Sequence, residues 1–331
     1  MNDLGDLLIT LPLLGACASF AFLTIMLRTQ AARWALDHPN HRSLHSQSMP
    51  RIGGIAIFSV LTPLLLATGF VLAGALTVLL CALSFLDDRH KLSIGLRFAA
   101  HAVAAAAFAW ATLPGLSWIA LLCAALALMW MANLFNFMDG SDGLAGGMAV
   151  TGFGAYAVAA WLGQQEVFAV GALCVSSCTA AFLYFNFPPA RVFMGDAGSI
   201  PLGFLAACMG LSGWHTGIWP LWFPILVFSP FIVDTSLTLI RRTLRGERIW
   251  QAHRSHYYQR LIQSGWSHRK TALIAYGLML ICGISAVSLI FANTSGQSIV
   301  LLLIALLYMV LIVVVERISR RYSEQQKTHE F

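Results

Sequence analysis

Long apolar stretches separated by short polar segments make up most of this chain. A helix needs about 20 mainly apolar residues to cross the hydrocarbon core of a bilayer. The pattern therefore predicts an all-α, polytopic integral membrane protein with about 11 transmembrane helices. The apolar stretches lie at about 5–27, 52–69, 70–86, 98–113, 116–133, 144–163, 167–186, 198–213, 217–240, 271–292 and 297–315.

The composition excludes an ordinary water-soluble globule. Hydrophobic residues make up 58% of the 331 residues and charged residues only 10%, whereas soluble domains contain about 25% charged residues. The seven cysteines are scattered through the apolar stretches without a CxxC pair. They therefore indicate neither a disulfide framework nor a zinc site.

The positive charges predict the orientation of the chain. If the N-terminus lies outside the cell, all 20 Lys and Arg residues fall in segments on the inner side. Basic residues concentrate in the cytoplasmic loops of membrane proteins. The predicted topology is therefore N-out and C-in, with the functional face on the cytoplasmic side. The basic residues behind the net charge of +6 are then explained by the orientation of the chain across the membrane. We therefore predict no nucleic-acid partner.

Carboxylates cluster near the inner ends of the predicted spans, where charge is costly. Asp87 and Asp88 are adjacent and repel each other, so a divalent cation would stabilise them. Asp139, Asp142 and Asp196 stand among glycines, which let a backbone approach a ligand closely. Mg²⁺ commonly uses one or two carboxylates together with substrate phosphates. The pattern therefore favours a site for Mg²⁺ and a diphosphate. The simpler alternative is that these acids only cap helices or offset the charge of nearby arginines.

Two inner loops contain basic residues and histidines that could contact phosphate groups. Orientation alone explains much of the positive charge. Histidine adds little to orientation at neutral pH, but it can donate hydrogen bonds to phosphate or transfer protons. The candidates in these loops are His45, Arg51, His253, Arg254, His256 and Arg260.

Four sequence blocks contain most of the other candidates. They are Pro50-Arg51-Ile52-Gly53-Gly54, Asp87-Asp88-Arg89, Asn133-x-x-Asn136-x-x-Asp139-Gly-x-Asp142-Gly143-Leu144 and Phe193-Met-Gly195-Asp196-x-Gly198-Ser199. Their order and spacing resemble the polyprenyl-phosphate N-acetylhexosamine-1-phosphate transferases, of glycosyltransferase family 4 type. The resemblance extends over nearly the whole chain, and the nearest subgroup is the bacterial enzymes that start O-antigen synthesis.

This resemblance implies a reaction, its substrates and a cofactor. A UDP-N-acetylhexosamine would donate its sugar-1-phosphate to undecaprenyl phosphate, giving undecaprenyl-diphosphate-sugar and UMP. The product would start O-antigen and lipopolysaccharide assembly at the bacterial inner membrane, with Mg²⁺ as cofactor and Mn²⁺ as a substitute. We predict one transmembrane catalytic domain over 1–315 and a cytoplasmic tail over 316–331. We also predict that the protein can form a homodimer.

The resemblance also implies roles for individual residues. Asp196 and Asp88 would bind the metal, and Asp87 would deprotonate or orient the lipid phosphate. His256 would complete the catalytic group, and Phe193 would stack on uracil. We expect direct attack by the lipid phosphate, because this acceptor is already anionic and the protein then needs only to position it and stabilise charge. The residues that would hold the nucleotide are Asn133, Asn136, Asp139 and Asp142.

The last inner loop departs from the family pattern, which commonly has a histidine cluster there. In the stretch from His253 to Arg260, only His256 matches the first histidine of that cluster, and Tyr258 and Gln259 replace the later two. The departure argues against UDP-MurNAc-pentapeptide as donor. It favours a 6-deoxy sugar such as N-acetyl-fucosamine or N-acetyl-quinovosamine, with UDP-GlcNAc as the alternative.

Two functions of other classes are compatible with parts of the pattern. A transporter would use intramembrane acids such as Asp234, but it would place them near the bilayer midplane. A lipid-binding scaffold would not need the acids at all. The grouping of the other acids at the inner ends of the spans favours the enzyme.

Overall fold

The computed structural model describes residues 3–33, 35–37, 48–248, 251 and 253–329. Nearly all of their regular structure is helical, apart from an antiparallel pair of two-residue strands, β1 (Leu36–Asp37) and β2 (Met49–Pro50). A short 3-10 helix spans Gln30–Arg33. The α-helices are α1 (Asp3–Arg28), α2 (Gly53–Ala67), α3 (Val71–His90), α4 (Ile94–Thr112), α5 (Trp118–Met138), α6 (Leu144–Leu162), α7 (Glu166–Asn186), α8 (Asp196–His215), α9 (Trp222–Val227), α10 (Ser229–Leu244), α11 (Tyr257–Gln263), α12 (His268–Ile290) and α13 (Thr294–His329).

Each predicted span coincides with helical structure. Among the described residues, nine helices are long and apolar enough to cross a bilayer: α1, α3 to α8, α12 and α13. The span predicted at 52–69 corresponds to the shorter apolar helix α2, and the span predicted at 217–240 is divided at Phe228 into α9 and α10. The prediction of an all-α, polytopic membrane protein is confirmed. The orientation across the membrane stays a prediction.

Several helices extend beyond the predicted spans, and this changes where the polar motifs lie. α3 continues to His90, so Asp87 and Asp88 are on its last turn. α5 continues to Met138 and contains Asn133 and Asn136. These three residues lie just outside the predicted spans 70–86 and 116–133, and the structure places them within helices. A helix satisfies its own backbone hydrogen bonds, so it can continue past the hydrocarbon where its side chains become polar.

Helix α8 is the centre of the bundle. Of its membrane-spanning window 83% is buried inside the protein, compared with 11% for α13. α8 packs against α3 and α5, and the pairs α6–α7 and α1–α7 complete the central packing. The last turns of α3 and α5 and the first turn of α8 lie together at one end of the bundle, which we call the inner end.

Glycines allow α8 to approach its neighbours closely. A Cβ atom on Gly198 would lie 2.7 Å from the Cα atom of Gly54 in α2. A Cβ atom on Gly203 would overlap with the backbone carbonyl of Met131 in α5 and lie 2.8 Å from the Cβ atom of Phe135. Small residues at helix contacts let backbones approach within membranes. These glycines therefore determine how far α8 lies from α2 and α5.

Replacing Gly203 with valine should destabilise the protein, because the new side chain would push α8 away from Met131. Overpacking of this kind costs about 1–3 kcal/mol. The matched control is Gly277→Val in α12, since nothing lies within 4 Å of the Cβ position there and the substitution is the same. Thermal unfolding in detergent should show a lower midpoint for Gly203→Val alone. Equal midpoints in the two variants would contradict the close-contact role.

Candidate active site

Residues from four separate segments meet at the inner end of the bundle. The helix packing explains this meeting, because α8 contacts α2, α3 and α5. The side chains come from the last turn of α3, the last turn of α5, the first turn of α8 and the residues just before α2. They are Asp88, Asn136, Asp196 and Arg51.

Backbone hydrogen bonds join the segment before α2 to the segment before α8. The N–H of Phe193 donates to the carbonyl of Pro50 at 2.8 Å, and the N–H of Gly53 donates to the carbonyl of Phe193 at 3.0 Å. Gly195 adopts φ +71°, and a Cβ atom there would lie 3.3 Å from the Cβ of Arg51. The first and fourth sequence blocks thus form one backbone unit, which places Arg51 beside the start of α8.

Arg51 is the cation among three carboxylates. Its guanidinium lies 3.0 Å from Asp37 and 3.5 Å from Asp88, and Asp196 adds a third negative charge nearby. Burial opposes the charge of Arg51, but the three acids outweigh burial and raise its pKa. Arg51 therefore stays charged and offsets only part of the negative charge around it.

One carboxylate oxygen of Asp88 faces Arg51, and the other has no hydrogen-bond partner among the described residues. Oδ1 faces Arg51, whereas Oδ2 is buried and accepts no hydrogen bond from any described residue. Asp196 and Asp87 both repel Asp88 electrostatically. A buried carboxylate oxygen without a partner is unfavourable. A cation at this position would satisfy Oδ2 and reduce the repulsion.

Asn136 and Ser199 orient the carboxylate that begins α8. Asn136 Nδ2 donates to Oδ1 of Asp196 at 2.8 Å and to Oγ of Ser199 at 3.2 Å. Ser199 in turn donates to the carbonyl of Gly195 at 3.2 Å. Helix α8 begins at Asp196, and a carboxylate is stabilised at that end of a helix by the backbone dipole.

The acids at the inner end fit a magnesium ion better than a zinc ion. No group of three or more His, Cys, Asp or Glu side chains that could hold a metal occurs in the part of the chain that the structure describes. Zinc sites need three or four protein ligands. Mg²⁺ commonly takes one or two carboxylates and completes its coordination with water and substrate phosphates, and Asp88 and Asp196 can supply such a pair.

A third acid, Asp139, lies close to this pair in the loop after α5. It accepts a hydrogen bond from the backbone N–H of Gly195. Burial and the negative charge of Asp196 raise the pKa of Asp139 well above its usual range, although the N–H of Gly195 acts in the opposite direction. Asp139 is therefore more easily protonated than an exposed aspartate, and in its neutral form it adds no repulsion to the site.

Two of the residues predicted to contact the nucleotide form hydrogen bonds within the protein. Asp142 Oδ2 accepts a hydrogen bond from the N–H of Ala190 at 3.0 Å. Asn133 Nδ2 donates to the carbonyl of Met129 in its own helix at 2.7 Å. Asp142 thereby ties the loop after α5 to the turn after α7. A nucleotide contact of either residue stays a prediction.

Asp87 is held in an ion pair. Its Oδ2 lies 2.6 Å from Arg97 of α4, and its Oδ1 accepts a hydrogen bond from the N–H of Leu92 at 2.7 Å. Both oxygens are therefore occupied. The role predicted for Asp87 towards the lipid phosphate stays a prediction.

Asp234 of α10 organises the last inner loop. Its carboxylate accepts the backbone N–H groups of Tyr257 at 3.0 Å and Tyr258 at 3.1 Å, and it contacts the ring Nδ1 of His256 at 3.1 Å. A carboxylate at the first N–H groups of a helix stabilises the helix start. Asp234 therefore caps α11 and fixes the buried ring of His256, whose catalytic role stays a prediction.

Three other residues predicted to contact the sugar nucleotide, His253, Arg254 and Arg260, lie in different surroundings. The ring of His253 lies 4.9 Å from that of His256, and Arg254 is partly buried in the same loop. Arg260 forms a bidentate ion pair with Glu316 of α13, at 2.7 and 3.0 Å. The substrate contact predicted for Arg260 stays a prediction.

Two further predicted substrate contacts are Phe193 and His45. Phe193 is partly buried just before α8, where its backbone bonds hold it next to the segment of Arg51. A stacking role on uracil stays a prediction. His45 lies outside the described residues.

Some residues that shape the site were not predicted. Asn186, at the end of α7, accepts a hydrogen bond from the N–H of Gly143 at 2.9 Å and donates to the carbonyl of Val192 at 2.8 Å. A polar residue at the inner end of an apolar stretch was a usable signal for it. Arg97 gave no such signal, because it looks like an ordinary orienting charge. The remaining unpredicted residues are Asp37, Ser199 and Glu316.

The chain is similar to curated transferases and to one family model. The model described as Glycosyl transferase family 4 matches residues 70–213. A probable undecaprenyl-phosphate N-acetylglucosaminyl 1-phosphate transferase of Bacillus subtilis is 32% identical, over 84% of this chain and 83% of its own length. A decaprenyl-phosphate N-acetylglucosaminephosphotransferase of Mycolicibacterium smegmatis is 29% identical, over 90% and 86%. A phospho-N-acetylmuramoyl-pentapeptide-transferase of Levilactobacillus brevis is 31% identical, over 51% and 52%.

These similarities cover the site as well as the fold. The matched residues 70–213 extend from the start of α3 into α8 and so include Asp88, Asn136 and Asp196. The resemblance noted from the four sequence blocks is confirmed. The chain belongs to glycosyl transferase family 4, within the superfamily of polyprenyl-phosphate hexosamine-1-phosphate transferases.

Proposed function

We propose that this protein transfers an N-acetylhexosamine-1-phosphate group from a UDP-sugar to undecaprenyl phosphate. The P–O bond between the two phosphoryl groups of the donor breaks, a P–O bond to the lipid phosphate forms, and UMP leaves. One observation carries the proposal: a buried oxygen of Asp88, which has no hydrogen-bond partner in the part of the chain that the structure describes, lies beside Asp196 and Arg51 at the inner end of the bundle. A membrane lipid headgroup and a cytosolic nucleotide could both reach this end.

The charges of the site suit two phosphate-bearing substrates. Asp88 and Asp196 would hold Mg²⁺, or Mn²⁺ in its place. When bound, that ion neutralises the diphosphate of the donor. Arg51 stays positive beside the same acids, so it would attract and orient phosphate oxygens. Asn136 fixes the carboxylate of Asp196, which would keep the ligand geometry constant.

Direct attack by the lipid phosphate agrees with this arrangement. The acceptor is already an anion, so it needs no general base of high strength. The main barrier is then to bring two anionic groups together in line, which the protein lowers by positioning and charge stabilisation. Asp87 is bound to Arg97 and Leu92, so its contribution would be to hold α3 and α4 in place around Asp88.

The relatives favour UDP-GlcNAc as the donor. Two relatives that match 84% and 90% of this chain are named for N-acetylglucosamine. The prediction of a 6-deoxy sugar rests on Tyr258 and Gln259. However, Tyr258 donates a hydrogen bond to the carbonyl of Phe137 at 3.1 Å, and Gln259 accepts one from the N–H of His256 at 3.3 Å. Both side chains are used inside the fold, so they give no preference between donors.

A donor panel tests the reaction and the sugar. Purified protein with undecaprenyl phosphate and Mg²⁺ should release UMP from UDP-GlcNAc, and omission of either substrate should abolish the release. The panel includes the UDP derivatives of N-acetyl-fucosamine, N-acetyl-quinovosamine and MurNAc-pentapeptide. Activity with only the two 6-deoxy sugars would restore them as donors and support O-antigen initiation. Failure with every donor, or substrate flux without UMP, would refute the transferase.

Replacing Asp88 with asparagine should separate activity from stability. UMP release should fall by about 10³-fold, the size of effect found when one charge-stabilising group is removed from an active site. The thermal midpoint should be unchanged or higher, because the substitution removes one of several repelling carboxylates. Glu166→Gln, on the exposed start of α7 at the other end of the bundle, should change neither value. Retention of a tenth of the activity in Asp88→Asn would contradict its proposed role.

The metal assignment predicts a difference between wild type and Asp196→Asn. A chelator should abolish UMP release in the wild type, and added Mg²⁺ should restore it. In Asp196→Asn, Mg²⁺ should not restore it. Mn²⁺ binding followed by electron paramagnetic resonance gives a measurement that does not depend on turnover, and it should show weaker binding to Asp196→Asn. Equal Mn²⁺ binding in both proteins would remove Asp196 from the ligand set.

A further inference from the structure

The C-terminal helix α13 extends to the loop that contains the predicted donor contacts. Its 36 residues make it about 54 Å long at 1.5 Å per residue, whereas the hydrocarbon core of a bilayer is about 30 Å thick. The boundary predicted between domain and tail, at 315/316, falls within this helix. Beyond its apolar part, α13 packs against α11, so the predicted tail begins as part of the folded protein.

Glu316 of α13 binds two arginines that come from different helices. Its carboxylate pairs with Arg260 of α11 through both oxygens, and it also pairs with Arg241 of α10, where Nη2 lies 3.0 Å from Oε2. The side chains of Glu316 and Arg260 are only 17% and 18% exposed, so solvent screens the pair less than it screens a surface pair. Bidentate pairs of this kind fix geometry as well as adding energy.

Without Glu316 the two arginines would repel each other. The two guanidinium groups lie close together because both contact the carboxylate of Glu316, and burial and the positive charge of Arg241 lower the pKa of Arg260. One carboxylate between them turns a repulsive contact between α10 and α11 into an attractive one. α13 therefore holds together the two helices that flank the loop.

The loop between α10 and α11 is also anchored from within. The guanidinium of Arg242 in α10 donates to the carbonyls of Arg248 at 3.1 Å and Gln251 at 3.2 Å, and it pairs with Glu247 at 2.7 Å. The same loop contains His253. Contacts from α10 and α13 thus restrain the loop at both of its ends, while the cap at Asp234 fixes the start of α11.

We propose that Glu316 is a positioning residue for the sugar-nucleotide donor. By holding α10 and α11 together, it keeps His253 and Arg254 in place to contact the donor diphosphate. This inference rests on the proposed function. It also gives Arg260 a different role from the predicted one, because Arg260 acts through Glu316 and does not bind the donor itself.

A double-mutant cycle tests this assignment. The variants are Glu316→Gln, Arg260→Gln and the double variant, with Glu166→Gln as the charge-matched control. Each single substitution should raise KM for the donor about tenfold, as expected for residues coupled in one network, while KM for undecaprenyl phosphate and kcat change less than twofold. The double variant should resemble each single variant. Additive effects of the two substitutions would show that Arg260 contacts the donor directly and would overturn the inference.

Proteolysis supplies a second measurement that needs no transferase activity. Trypsin can cut the loop after Arg245, Arg248 and Arg254, and the rate of cleavage reports how firmly the loop is held. Glu316→Gln should accelerate cleavage at these positions about tenfold relative to Glu166→Gln, since residues in one network couple at this magnitude. Unchanged cleavage would overturn the anchoring role. If no donor gives UMP even with the wild type, the proposed function fails, whereas the cleavage rates still decide whether Glu316 holds the loop.

Discussion

The repulsion between carboxylates at the inner end of the bundle is the constraint on which the rest of the site depends. Asp88 and Asp196 come from different helices, yet they lie close enough to affect each other electrostatically. Arg51 offsets part of this charge, and one oxygen of Asp88 still has no partner among the described residues. An arrangement of this kind is unfavourable for a resting protein and useful for one that binds a cation and phosphates.

The membrane-spanning part of the protein keeps these acids together. Helix α8 is almost entirely surrounded by protein, and glycine contacts let it lie against α2 and α5. Close packing of the helices fixes their ends, and the ends carry Asp88, Asn136 and Asp196. The energy that opposes the repulsion therefore comes partly from contacts of small and apolar residues along the helices, which suits a binding site built on rigid helices.

Acidic residues at the inner end have two different functions. Asp234 and Glu316 are satisfied by helix N–H groups and arginines, so they stabilise the fold around the last inner loop. Asp88 is not satisfied in this way. Structural acids and candidate catalytic acids both lie close to the ends of apolar stretches, so their positions along the chain do not distinguish them. Whether the carboxylate is paired distinguishes them more clearly.

Much of the fold could be predicted from the sequence, because a membrane span has a length and an apolarity that are visible without knowing its neighbours. The four sequence blocks are likewise visible in the sequence. Helix ends beyond the hydrocarbon could not be predicted, since polar residues such as Asp87 and Asn136 fit a helix end as well as a loop. Only the tertiary structure shows which acid forms an ion pair with an arginine. Glu316 and Arg260 are 56 residues apart in sequence and meet through the packing of α13 against α11, and no local pattern records such a contact.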